Sequence, residues 1–115
     1  MNSLHVRTVN TELKEFQIAL GRLVDRLGRL PERHWVAGYE VAAVAVQQLR
    51  KLTLALGDSG PVEVPRIAAR AAGAQLSVIG ADFLASVQRC QDDVKVASAT
   101  QRALVAVKSA TSALP

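Results

Sequence analysis

His34 stands in the stretch PERHWVAG, residues 31–38, which also holds the chain's one tryptophan and follows directly on a proline. A histidine can pass a proton, ligate a metal or take up a reactive group as a nucleophile. Other groups with reactive potential are sparse. Cys90, the sole cysteine, lies near Asp92 and Asp93, a set too small and too mixed in softness to name an ion. A nucleophilic thiol there would need a base or a positive microenvironment beyond Arg89 alone. Glu15, Glu40 and Asp82 fall on separate segments, without the Glu-X-X-His partner that holds paired metals in a helical bundle. The stretch GDSG at 57–60 continues into proline, not into the Gly-Lys-Ser/Thr of a phosphate-cradling loop. These residues imply no catalytic centre, no metal site and no cofactor, and the expectation is a protein that is not an enzyme.

Two resemblances attach to the same stretch. HWVAG is similar to the His-X-Leu-Lys-Gly signature of histidine phosphotransfer domains, which are helical bundles of comparable length. His34 matches the phosphoryl acceptor, Val36 the aliphatic position and Gly38 the glycine that leaves room for a docking partner. Ala37 stands where the lysine that steadies the phosphoryl group belongs, and the resemblance covers five residues. Trp35 and Gly38 also resemble the Trp-X-Gly motif of small helical hairpins exported by type VII secretion. Here two residues separate the pair, and no Tyr-X-X-X-Asp/Glu export signature follows. Read from packing, Trp35 and Tyr39 lie one turn apart and cap the core beside Pro31, with His34 a boundary residue near a helix start.

Arg22, Arg26, Arg29 and Arg33 recur at spacings of 4, 3 and 4, a basic stripe that could meet nucleic acid or an acidic protein. The same stripe suits the helix itself. Glu12 and Glu15 precede it on the same face, so charge runs from negative to positive along the axis, and Asp25 can pair with Arg22 and Arg29.

The elements that must position these residues are helical throughout. Val6, Val9, Leu13, Phe16, Leu20, Leu23, Leu27 and Leu30 alternate at three and four residues, an unbroken heptad seam that predicts a helix over 4–30. Ser3 is its expected N-cap and Pro31 its end. Ile18 and Val24 lie off the seam, which implies burial against more than one neighbour. A second helix is expected over 32–56, where VAAVAV at 41–46 is apolar nearly all round, the pattern of a central helix. GDSGPVEVP at 57–65 is the one clear loop, with Gly57 as C-cap residue and Pro65 as a first-turn proline.

From 65 to 114 the pattern leaves one helix or two open. Phe83, Cys90, Ala97 and Leu104 recur every seven residues, so the phase runs on, yet a break near Gly80 (with Asp82 as cap) or near Asp92 is equally compatible. An unbroken helix of about 49 residues would span about 73 Å, roughly the length of the first two laid end to end. The fold class that follows is all-α: an antiparallel bundle of three to four helices in a single domain over 1–115, with a kinked hairpin that dimerises into a bundle as the alternative. Ala69, Gly73, Ser77 and Gly80 form one ridge of small residues, and Ala99, Ala103, Ala106 and Ala110 another, both suited to close helix approach.

Composition excludes several classes. Half the residues are hydrophobic and 21% are charged, ordinary for a globular domain and unlike a disordered one. The net charge of +4 is spread evenly: residues 1–60 hold eight basic and six acidic side chains, and residues 61–115 six and four. One cysteine permits no intrachain disulfide. No apolar run reaches the roughly 20 residues of a membrane-spanning helix, and no signal-peptide pattern opens the chain. The expectation is therefore a cytoplasmic, bacterial-type protein, with secretion that uses no cleaved peptide as the other route. Its expected work is interaction: a scaffold or subunit that self-associates, or binds a helical partner, through the heptad and Ala/Val faces. The core and interface residues are Leu13, Phe16, Leu20, Leu23, Leu27, Leu30, Trp35 and Tyr39. The alternative is binding of nucleic acid or an acidic protein along the arginine stripe.

Overall fold

The computed structural model describes the backbone of residues 3–115 and the side chains of residues 9–115. Four helices follow one another: α1 (Ser3–Arg29), α2 (Trp35–Ala55), α3 (Ala72–Arg89) and α4 (Asp93–Ala113), with single 3₁₀ turns at Glu32–His34 and Ala69–Ala71. The cap expected at Ser3 and the seam position Val6 lie outside the described side chains. The chain is an all-α bundle, and the dimerising hairpin is not the architecture it adopts.

The break that splits the C-terminal segment falls at 90–92, not at Gly80. Asp92 is extended, and its Oδ1 accepts the backbone N–H groups of Val94 and Lys95, both at 3.1 Å. This N-cap satisfies two of the donors that a helix start leaves orphaned, and Asp93 follows where the macrodipole favours a negative charge. Cys90 closes α3, its N–H bonding to Ser86 O. Gly80 sits mid-helix because of packing: a Cβ there would run into Cδ2 of Leu20.

α2 ends as expected. Gly57 takes φ +106°, its N–H reaches Leu54 O, and Asp58 N–H reaches Thr53 O, the paired bonds of a Schellman ending. Pro65, by contrast, is not in a first helical turn. It lies in a segment without regular structure, seven residues before α3.

Each helix packs on two neighbours: α1 on α3 and α4, and α2 likewise on α3 and α4. Phe16 meets Phe83 and Val24 meets Gly73, so α1 and α3 are antiparallel. Val41 faces Ala113 while Leu56 faces Val94, so α2 and α4 are antiparallel as well. α2 and α3 run parallel, with Tyr39 near Gly73 at one end and Arg50 near Asp82 farther along. The two short connections therefore join helices across the diagonal, and the long one, 56–71, returns along the outside of the α2–α3 pair.

The seam of α1 supplies the centre. Phe16 and Leu23 are fully buried and Leu20 nearly so, while Leu13, Leu27 and Leu30 are partly buried against them. Phe16 and Phe83 meet at 5.2 Å between centroids with planes tilted 59°, a favourable edge-on arrangement. Around them lie Leu49, Leu76, Val46, Val107 and the small residues Ala99, Ala103 and Ala110. Ile18 turns out to solvent, so the two neighbours of α1 bury the seam and not the whole helix. Thr100 is fully buried, and its Oγ1 has no hydrogen-bond partner among the described residues.

Two core substitutions should move stability in opposite directions. Leu23→Ala removes a buried side chain from the centre and should cost about 2–5 kcal/mol. Thr100→Val keeps the shape and deletes an unsatisfied hydroxyl, and should raise stability by about 1 kcal/mol. Urea unfolding of both variants checks the pair. An unchanged midpoint for Leu23→Ala would refute burial of the seam.

Candidate functional site

α2 carries a ladder of polar side chains that straps the long connection to the bundle. Tyr39, Gln47 and Arg50 recur at near-helical spacing and so share a side of α2. Ile67 N–H donates to Tyr39 Oη at 3.1 Å, and Gln47 Nε2 donates to Val64 O at 3.2 Å. Arg50, whose side chain is 9% exposed, uses all three of its guanidinium nitrogens. Nε donates to Pro61 O at 3.0 Å, Nη1 to Asp58 Oδ2 at 2.8 Å and Nη2 to Ser59 O at 3.2 Å. A buried charge is tolerable when paired and hydrogen-bonded in this way. Gly60 is required here twice over: its φ is +123°, and a Cβ would come within 2.9 Å of Arg50 Nη2.

The electrostatics follow from that strap. Arg50's hydrogen bond holds the Asp58 carboxyl below its ordinary range, helped by the Ser59 N–H and the charge of Arg89 at 3.8 Å, against partial desolvation. Glu40, 2.6 Å from Arg66, raises that guanidinium above its ordinary value; the same group lies 5.1 Å from the Tyr39 ring centroid.

The PERHWVAG stretch is a junction held by hydrogen bonds more than by burial. Pro31 is extended, His34 N–H bonds to Pro31 O at 2.8 Å, and Trp35 Nε1 donates to Leu30 O at 2.9 Å. Tyr39 is buried, but Trp35 is 39% exposed and so is not the core cap its type implies. With Gly28, Gly38, Tyr39, Arg70 and Gly73 it edges a shallow cleft of about 280 Å³. Gly38 serves packing, since a Cβ there would strike Leu30. His34 is half-buried at the end of the 3₁₀ turn and makes no cap bond to α2.

The other sequence candidates disperse. Of the arginine stripe, Arg29 pairs with Asp25 at 3.2 Å and Arg26 donates to Thr111 O at 2.9 Å across to α4, while Arg22 and Arg33 are exposed. Glu15 meets Lys108 at 3.8 Å. Cys90 is partly buried, its Sγ 3.9 Å from Asp92 O. Among the described residues no three His, Cys, Asp or Glu side chains gather to hold a metal, and no helix is long and apolar enough to cross a membrane.

What remains is a groove on the Ala/Val side of the bundle, away from the α1 seam. Three adjoining depressions run along the outer face of α2 and α4, the largest of about 630 Å³. Small residues floor it, including Ala55, Ala106, Ala110 and Ala113, and Val44 and Val105 stand on it at 59% and 58% exposure. The signal was present in VAAVAV: a helix apolar all round has more apolar surface than two neighbours can cover. No family model, curated protein or solved structure matches this chain.

Asp58→Asn tests the strap. Because the folded carboxyl is depressed, its stabilising contribution is present above the ordinary aspartate value near 3.9 and is lost as pH falls through the lower folded value. The stability difference between wild type and variant, from urea unfolding, should be full at neutral pH and close on acidification. A difference independent of pH would contradict the Arg50–Asp58 pair.

Proposed function

We propose that the protein is a non-enzymatic helical interaction module whose docking surface is the outer α2–α4 face. The observation that carries this reading is the division of apolar surface. The heptad seam of α1, the natural candidate for association between chains, is used within the chain: Phe16, Leu20 and Leu23 form the core. On the opposite side of α2 and α4 from the core, Val44 and Val105 are left exposed along an uncovered strip, with Val94 at its far end 77% exposed. Contiguous apolar strips of this kind mark contact surfaces on folded proteins, and small residues on the floor let another helix approach closely.

The arginine stripe supports a binding face less well, since half of it is engaged in contacts within the chain. Phosphotransfer at His34 would require a cation near the ring where Ala37 stands.

Replacing Val44 and Val105 together by glutamine removes exposed apolar contact without altering charge, and should leave the melting curve unchanged. The same variant should lose, by about tenfold or more, whichever helix the face takes up. That helix is either a second copy seen in sedimentation velocity or a peptide selected from a helix-display library on the intact protein. Binding or assembly indifferent to the pair would refute this face as the docking surface, as would the absence of both.

A further inference from the structure

We infer that the occupant of the α2–α4 face is an acidic amphipathic helix of a partner protein, and not a second copy of this chain. The inference rests on the docking reading above and specifies its partner.

Length comes first. The strip from Val41 to Leu56 covers about 22 Å at the helical rise, so it accommodates a helix of about 15 residues, four turns long. Such a helix would set an apolar stripe onto Val44, Leu52 and Val105 and leave its flanks over the rims of the groove.

The rims decide the sign of those flanks. Lys51 from α2 and Arg102 from α4 both line the largest depression, and Lys95 lines the next one, which Arg102 also borders. Among the described residues none of these three cations has a carboxylate within ion-pairing distance, whereas Arg29, Arg50, Arg66, Arg89 and Lys108 each have one. The carboxylates at the ends of the groove are otherwise placed. Glu40 is held by Arg66, Asp92 caps its own helix, and Asp93 lies beyond the groove lining at the start of α4. Uncompensated cations around an apolar floor are complementary to a helix with leucines on one face and glutamates or aspartates beside them.

A second copy fits poorly on the same grounds. A two-fold contact brings the same patch of both copies together, so the three cations would meet either their own counterparts or the end marked by Glu40, already paired. Like charges facing across a contact oppose it. Single-stranded nucleic acid finds no stacking platform, since no aromatic side chain lines the strip.

The test is a display library of helices of about 15 residues, with a fixed leucine stripe and randomised flanking positions, selected on the intact protein. The expected result is enrichment of Asp and Glu at the flanks. Synthetic versions of the winners should lose affinity about tenfold or more with Lys51→Glu plus Arg102→Glu, and should weaken as salt rises from about 50 mM to about 500 mM. Neutral or basic flanks, or indifference to the charge reversal, overturn the acidic partner while loss of binding in the double glutamine variant keeps the docking face. A concentration-dependent dimer abolished by that same variant, with no acidic helix competing, also overturns the inference and keeps the face. Winners that ignore the glutamine pair overturn both.

Discussion

The connection between α2 and α3 has to travel the length of the bundle, and everything else in the fold depends on its doing so. Only that return places α3 parallel to α2 and antiparallel to α1, where Phe83 can reach Phe16. A loop of this length would otherwise contribute chain entropy and little else. Arg50 changes that balance by drawing Asp58, Ser59 and Pro61 onto one buried guanidinium, with Gln47 and Tyr39 fastening Val64 and Ile67 farther along. The loop is thereby part of the folded surface, and it covers the α2–α3 side. The α2–α4 side has no such cover.

This asymmetry links the fold to the proposed role. α2 is apolar on more sides than its two helical neighbours and the strap can bury, and Val44 emerges where none of the described residues covers it. α4 contributes a matching run of small residues, with Val105 exposed among them. The cations on the rim then give the exposed strip a sign, so the same surface that leaves apolar area uncovered also discriminates between candidate partners. Recognition of this kind draws specificity from charge and affinity from the apolar floor.

Much of this was legible in the residues. The 3-and-4 spacing of α1 marks its buried side because a helix presents such positions on one face. Gly57 announced the end of α2 because a left-handed residue was needed there. The C-terminal segment was ambiguous for a physical reason: Phe83, Cys90, Ala97 and Leu104 keep a heptad phase across the break, so periodicity alone does not register the extended residue at Asp92. Pro65 suits a first helical turn as well as an extended strap, and what decides between them is held by side chains from elsewhere, Gln47 and Gln75 among them. Arg50 was the main omission. Its signal was its phase, one turn beyond Val46 and beside Leu49 on the inner side of α2, where a charge requires a partner. Trp35 misled in the other direction, since its size implies burial while its indole N–H is used at the surface of the junction.

In this structure one chain completes the bundle and buries the α1 seam internally. Light scattering combined with small-angle X-ray scattering tests it most directly. The expected result is a particle of 12.3 kDa with a radius of gyration close to 14.2 Å. An elongated particle of twice that mass at low concentration would place the seam between chains and contradict it.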